Sequence, residues 1–143
     1  MNQPPSLTPD RQRTDEDHLN LLAIFHFVGA GFAILGIGFL GFHYMMFRAF
    51  MENPQMWQGQ RQDMPPQAFF AMFKVFYLVF GMWFVLSAIL NAISGFSLRA
   101  RRNRTFSLVV AAFDCLYVPF GTVLGVFTIV ILQRDSVRNS YRD

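Results

Sequence analysis

Four polar side chains stand inside otherwise apolar runs of this chain: His26, Lys74, Asn91 and Asp114. An aspartate is too short to reach the edge of a bilayer, and a charge at its centre costs about 2.5–3.5 kcal/mol on insertion scales. Asp114 must therefore be paired, protonated or wet. At about 1.5 Å per residue, Lys74 lies about 12 Å from the outer end of its run. By the same count from Arg104, Asp114 lies about 15 Å from the inner end of its own. In a hydrocarbon layer about 30 Å thick those depths nearly coincide. One expectation is a Lys74–Asp114 ion pair. The alternatives are a Lys74 that snorkels on its long stem and an Asp114 that is a hydrogen-bonded structural group near Pro119. A proton- or ion-coupled role for Asp114, or contact with another subunit, also stays open. His26 and Asn91 form a second depth-matched pair, each about 10 Å from the cytoplasmic boundary, with a His–Asn hydrogen bond expected between their helices.

The same residues argue against catalysis. No paired-carboxylate motif, histidine cluster or nucleophile–base spacing lies in the apolar runs, so a non-enzymatic chain is expected. Cys115 adjoins Asp114 and reads as a small apolar residue. His26 and His43 share one helix at opposite depths and cannot clamp one haem within a subunit. No cofactor and no metal site is expected. "GAGFAILGIG" has glycines, but no strand or polar turn surrounds it, so it does not read as a dinucleotide loop.

These groups must be positioned by membrane helices. Of the 143 residues, 53% are hydrophobic and only 15% charged, and the charges gather at the ends and in two gaps. That distribution belongs to an integral membrane protein. Residues 1–13 read as a disordered cytoplasmic tail, with Thr14 as an N-cap followed by Asp15, Glu16 and Asp17. A transmembrane domain follows over 14–133, with segments at about 15–47, 67–98, 104–117 and 121–133. Residues 134–143 read as a second cytoplasmic tail. The gap Arg48–Pro66 carries Met51, Met56 and Trp57 and suits a short interfacial segment.

The last apolar run, Thr105 to Gln133, has two readings. It is one kinked helix, or a short hairpin turning at Val118–Gly121 on Pro119 and Gly121. Charge favours the hairpin. It places Arg11, Arg13, Arg99, Arg101, Arg102, Arg104, Arg134, Arg138 and Arg142 on one side, against Arg48 and Arg61 on the other. A single third span would carry the last three arginines across and remove nearly all the bias. The expected fold is an all-α, four-segment membrane bundle with both termini cytoplasmic.

"RRNRTFSLVV" followed by "PFGTVLGVFTIVIL" resembles a large group of small, mostly uncharacterised bacterial inner-membrane proteins. The shared pattern is a basic loop, then a Pro-x-Gly-Thr-x-x-Gly-x-aromatic turn, here Pro119, Gly121, Thr122, Gly125 and Phe127. The resemblance covers about Arg99–Leu132. It implies a four-helix fold in a bacterial inner membrane and brings no activity. Asp114 departs from the uncharged sequence that precedes the turn in that group.

Membrane helices associate through close backbone contact, because lipid is as apolar as leucine. Gly121, Gly125 and Thr128 make one small-residue face; Ser87, Asn91 and Gly95 make another; Gly36 belongs to a glycine-rich first helix. These faces serve packing within the bundle or a partner interface. The chain is thus expected to be a self-associating membrane protein or an accessory subunit of a larger membrane complex. The alternative is a small oligomeric transporter or channel using Asp114 and Lys74. The expected partners are the lipid bilayer and a second copy or another membrane protein. No nucleic acid is expected, since the net charge of +3 comes from clusters that flank apolar runs.

Overall fold

The computed structural model describes residues 9–51, 53 and 67–141. The described residues are helical, with no strand. In chain order the helices are α1 (Pro9–Met51), α2 (Gln67–Ala100), α3 (Arg104–Asp114), α4 (Phe120–Leu132) and α5 (Asp135–Arg138). At about 1.5 Å per residue, α1 is about 64 Å long and α2 about 51 Å. Both are long and apolar enough to cross a membrane, with mean hydropathies of 2.1 and 2.0 over the most apolar 18-residue stretches of α1 and α2. The shorter pair, α3 and α4, reach only about 17 and 20 Å.

The chain divides into two compact units, Met1–Ala30 with Ile89–Asp143, and Gly31–Ala88. In the second unit, segments of α1 and α2 pack through rings. Phe47 stacks on Phe73 with centroids 4.8 Å apart, and Tyr44 meets Tyr77 edge-on at 5.1 Å. His43 Nδ1 lies 2.6 Å from the Tyr77 hydroxyl, so His43 sits in this aromatic ladder. Gly36 lies under Phe84, whose ring would stand 2.8 Å from any added Cβ.

In the first unit, α2 ends on a turn closed by Arg101 N–H to the Leu98 carbonyl and Arg102 N–H to the Ser97 carbonyl. That is the Schellman pairing, which needs a left-handed residue just past the helix. Arg101 holds it at φ 51°, where glycine is the usual choice, and Asn103 is left-handed too. The core gathers Leu19, Leu22, Ala23, Leu98, Ile131, Leu132, Val137 and Tyr141. Arg104 Nε donates to the Leu132 carbonyl at 2.8 Å and satisfies one of the open carbonyls at the end of α4.

α3 and α4 form an antiparallel hairpin, the arrangement that the distribution of arginines favours. Its turn occupies Cys115–Pro119 and contains a cis Val118–Pro119 bond. Thr122 Oγ1 donates to the Cys115 carbonyl at 2.9 Å, a carbonyl left open by the end of α3. Two glycines let the arms close. A Cβ at Gly121 would stand 2.5 Å from the Asp114 carbonyl oxygen, and one at Gly125 would stand 2.5 Å from Cys115 Sγ and overlap the Ala111 carbonyl.

Several boundaries differ from the sequence reading. α1 begins at Pro9, so residues 9–13 are helix and not a disordered tail, and Thr14 lies inside the helix and not at its cap. A proline is tolerated in a first helical turn, where its missing N–H has no partner to lose. α3 ends at Asp114, three residues before 117, because the turn takes five residues. α4 is Phe120–Leu132, one residue earlier than 121–133. Within the expected tail 134–143, residues 134–141 are not free: α5 lies there, and Val137 and Tyr141 are buried in the core, while 142–143 lie outside the described residues. Residues 1–8 lie outside the described residues, as does the expected interfacial segment apart from the end of α1 and Asn53.

Candidate functional site: a buried polar centre

Each of the four longer helices contributes a side chain to one buried polar cluster in the first unit. His26 comes from α1, Asn91 from α2, Asp114 from α3 and Thr128 from α4. All are at most 3% exposed. Local sequence explains how they fit. Gly29 sits one turn from His26, and a Cβ there would stand 3.2 Å from Asn91 Oδ1. Gly125 brings α4 against α3, which carries Thr128 inward.

The hydrogen bonds have a direction. Asn91 Nδ2 donates to Asp114 Oδ1 at 2.9 Å, which turns the amide oxygen toward His26. His26 Nδ1 lies 2.8 Å from that oxygen and must therefore carry its hydrogen. Thr128 Oγ1 donates to the Leu124 carbonyl at 2.8 Å and lies 3.4 Å from His26 Nε2. Asp114 Oδ2 makes no hydrogen bond, although it stands 3.4 Å from His26 Nδ1, an ion-pairing distance. The 3.4 Å approach is not a hydrogen bond, because the Nδ1 hydrogen points to Asn91 Oδ1.

Such an imidazole–carboxyl couple suits a dry interior. With one shared proton it is neutral overall whichever partner holds it, so it escapes most of the penalty on a lone buried charge. The need is sharpened by position: Asp114 is the last residue of α3, and a helix C-terminus repels a carboxylate. Asn91 and His26 offset that repulsion. The centre joins side chains of four helices and can lock them in one register.

The expected His26–Asn91 hydrogen bond is thus present, but the expected Lys74–Asp114 pair is not: Asp114 is joined by His26 and Asn91, while Lys74 is exposed on α2. Lys74 has the long stem that makes exposure cheap, whereas Asp114 has none. Gly121 and Gly125 pack within the α3–α4 hairpin, and Gly95 takes the Phe27 ring. Ser87 is buried, in the other unit. Two groups escaped the sequence reading. Ser94 and Ser107 are fully buried, and neither hydroxyl has a hydrogen-bond partner. Their signal was helical spacing, with Ser94 three residues from Asn91 and Ser107 seven from Asp114. Among the described residues no three of His, Cys, Asp or Glu gather as a metal site.

No protein-family profile, curated protein or solved structure matches this chain. The polar centre and the surface around it therefore carry the functional argument.

Proposed function

We propose that the chain is a non-enzymatic, multi-pass protein of a bacterial inner membrane, which self-associates or serves as an accessory subunit of a larger membrane complex. The observation that carries this reading is its outer surface. Only 6% of the most hydrophobic window of α2 is buried, and Phe32, Leu35, Leu78, Met82 and Phe96 are each 65–69% exposed. Water-soluble monomers rarely expose contiguous apolar area on that scale. Lipid tails and partner helices accept it. Gly31, Gly38 and Gly41 have nothing within 4 Å of a built Cβ, so α1 also carries a thin, open strip of the kind on which membrane helices associate.

In this reading α1 and α2 span, the α3–α4 hairpin dips in and returns, and both termini face the cytoplasm. A reporter fused after Asp143 is expected to be active only on the cytoplasmic side. A periplasmic signal would overturn the topology. Mass measurement in mild detergent is expected to return a multiple of the 16.5 kDa chain or a complex with a copurified subunit. A bare monomer would remove the assembly claim.

A second reading, a small transporter or channel, is favoured by one observation, the Asp114 Oδ2 left without a hydrogen bond in the middle of the polar centre. Its partner there is His26 and not Lys74. Asp114→Asn separates the readings. A transporter loses flux and keeps its assembly; a structural role loses yield or changes oligomer size.

A further inference from the structure

α1 carries Asn20, Ala23, Ile24 and Phe27 at spacings of three and four, so they share one strip of the helix. With Arg99 of α2 they line a cavity of about 300 Å³, at the small end of ligand cavities. Its shape follows from Gly95. A Cβ there would stand 2.9 Å from the Phe27 ring, so the glycine lets that ring lie against α2 and form one wall. Phe96 extends the wall edge-on, with ring centroids 4.9 Å apart.

The lining has two ends. Ala23, Ile24 and Phe27 are apolar, and the polar groups are Asn20 and Arg99. The state of Arg99 differs from that of Arg101, Arg104 and Arg134. Arg101 pairs with Glu16 at 2.8 Å, Arg134 with Asp15 at 3.6 Å, and Arg104 is spent on the Leu132 carbonyl. Arg99 makes no hydrogen bond or ion pair among the described residues. A free guanidinium at the mouth of an apolar groove calls for an anionic head with an apolar tail, and a guanidinium binds phosphate in bidentate fashion.

We propose that this groove holds one anionic phospholipid of the cytoplasmic leaflet. Its phosphate sits on Arg99 beside the Asn20 amide, and the start of an acyl chain lies along Ala23, Ile24 and Phe27. The inference rests on the membrane reading above and adds a ligand to it. In a bilayer the anionic lipid is the amphiphile present at the depth of Arg99, and basic residues there are drawn to it.

The test uses the full chain in vesicles of phosphatidylcholine mixed with a minority of phosphatidylglycerol. Flotation comes first: a chain that does not float with the vesicles sinks the membrane reading itself. For a chain that floats, native mass spectrometry of the released protein counts the retained lipids. One phosphatidylglycerol is expected to be held in preference to phosphatidylcholine. Arg99→Gln should weaken that preference about fivefold, which corresponds to the ~1 kcal/mol of one basic residue at an anionic surface. Arg99→Lys should keep most of it. Ile24→Trp, at an exposed position, should fill the groove and displace the lipid without touching Arg99. Equal retention of phosphatidylglycerol by the wild type and Arg99→Gln, or equal retention of both lipids by the wild type, overturns the site. Should Arg99→Gln alone fail to float, the Ile24→Trp arm decides, and full retention there is equally fatal to the site.

Discussion

Gly125→Val is expected to separate α3 from α4 and to cost most of the folded protein. The added Cβ meets the Ala111 carbonyl, Cys115 Sγ at 2.5 Å and the Cys115 amide nitrogen at 3.0 Å. Two of those three are backbone atoms of the facing arm, which cannot swing aside as a side chain does. Overpacking of this kind typically costs about 1–3 kcal/mol and occasionally more. Here the upper end applies, because moving α4 outward also withdraws Thr128 from His26. Gly31→Ala is the control. Nothing stands within 4 Å of its added carbon, and alanine is favoured over glycine in a helix by up to about 1 kcal/mol. Thermal unfolding in one detergent compares the two. If both variants melt together, the hairpin does not depend on close approach at Gly125.

The second large effect lies in the polar centre. His26→Ala and Asp114→Ala are each expected to lose about 1–3 kcal/mol, the penalty for stranding a buried donor or acceptor. Asp114→Ala removes the acceptor of the Asn91 Nδ2 hydrogen bond and takes the counter-group from His26. His26→Ala removes the donor to Asn91 Oδ1 and leaves Asp114 at a helix C-terminus with less to offset its charge. Because the losses share partners, the double variant should lose clearly less than their sum. Additivity within about 0.5 kcal/mol would mean that the two residues act independently. The readout is equilibrium unfolding of the full chain in detergent.

Much of this was legible in the chain. Long uncharged runs announced α1 and α2, because that much apolar sequence without a breaker favours one continuous helix. Pro119, Gly121 and the late arginines announced the hairpin, since a proline interrupts a helix and a glycine admits a close return. The same reasoning allowed a Lys74–Asp114 pair that the fold does not make, while the hydrogen-bonded alternative for Asp114 is the one present. Counting inward from opposite ends of two runs gives a common depth only if each run is as long as the layer is thick, and α2 is much longer. Asn91, which bonds Asp114, lies about 25 Å beyond Lys74 along α2, so the apparent match in depth was false. Azimuth was readable in part: Thr128 follows Gly121 and Gly125 on one face, and that face turned out to be the inward one. The burial of Val137 and Tyr141 was hidden, because a polar segment rich in arginine reads as solvated when its few apolar residues are too sparse to show a period.

The seating of Val137 and Tyr141 among Leu19 and Leu22 also sets when the protein can become whole during its synthesis. The Arg134–His18 contact joins residues 116 positions apart, and Thr128 meets His26 across 102. α1 therefore leaves the ribosome long before the groups that cover its inner stretch exist. Until residues 128–141 emerge, Leu19, Leu22 and His26 wait without most of their neighbours, so a chain halted before residue 128 lacks both its core and the fourth support of the polar centre. A prematurely terminated product would leave an open apolar seam where those groups belong, the kind of surface that quality-control proteases recognise.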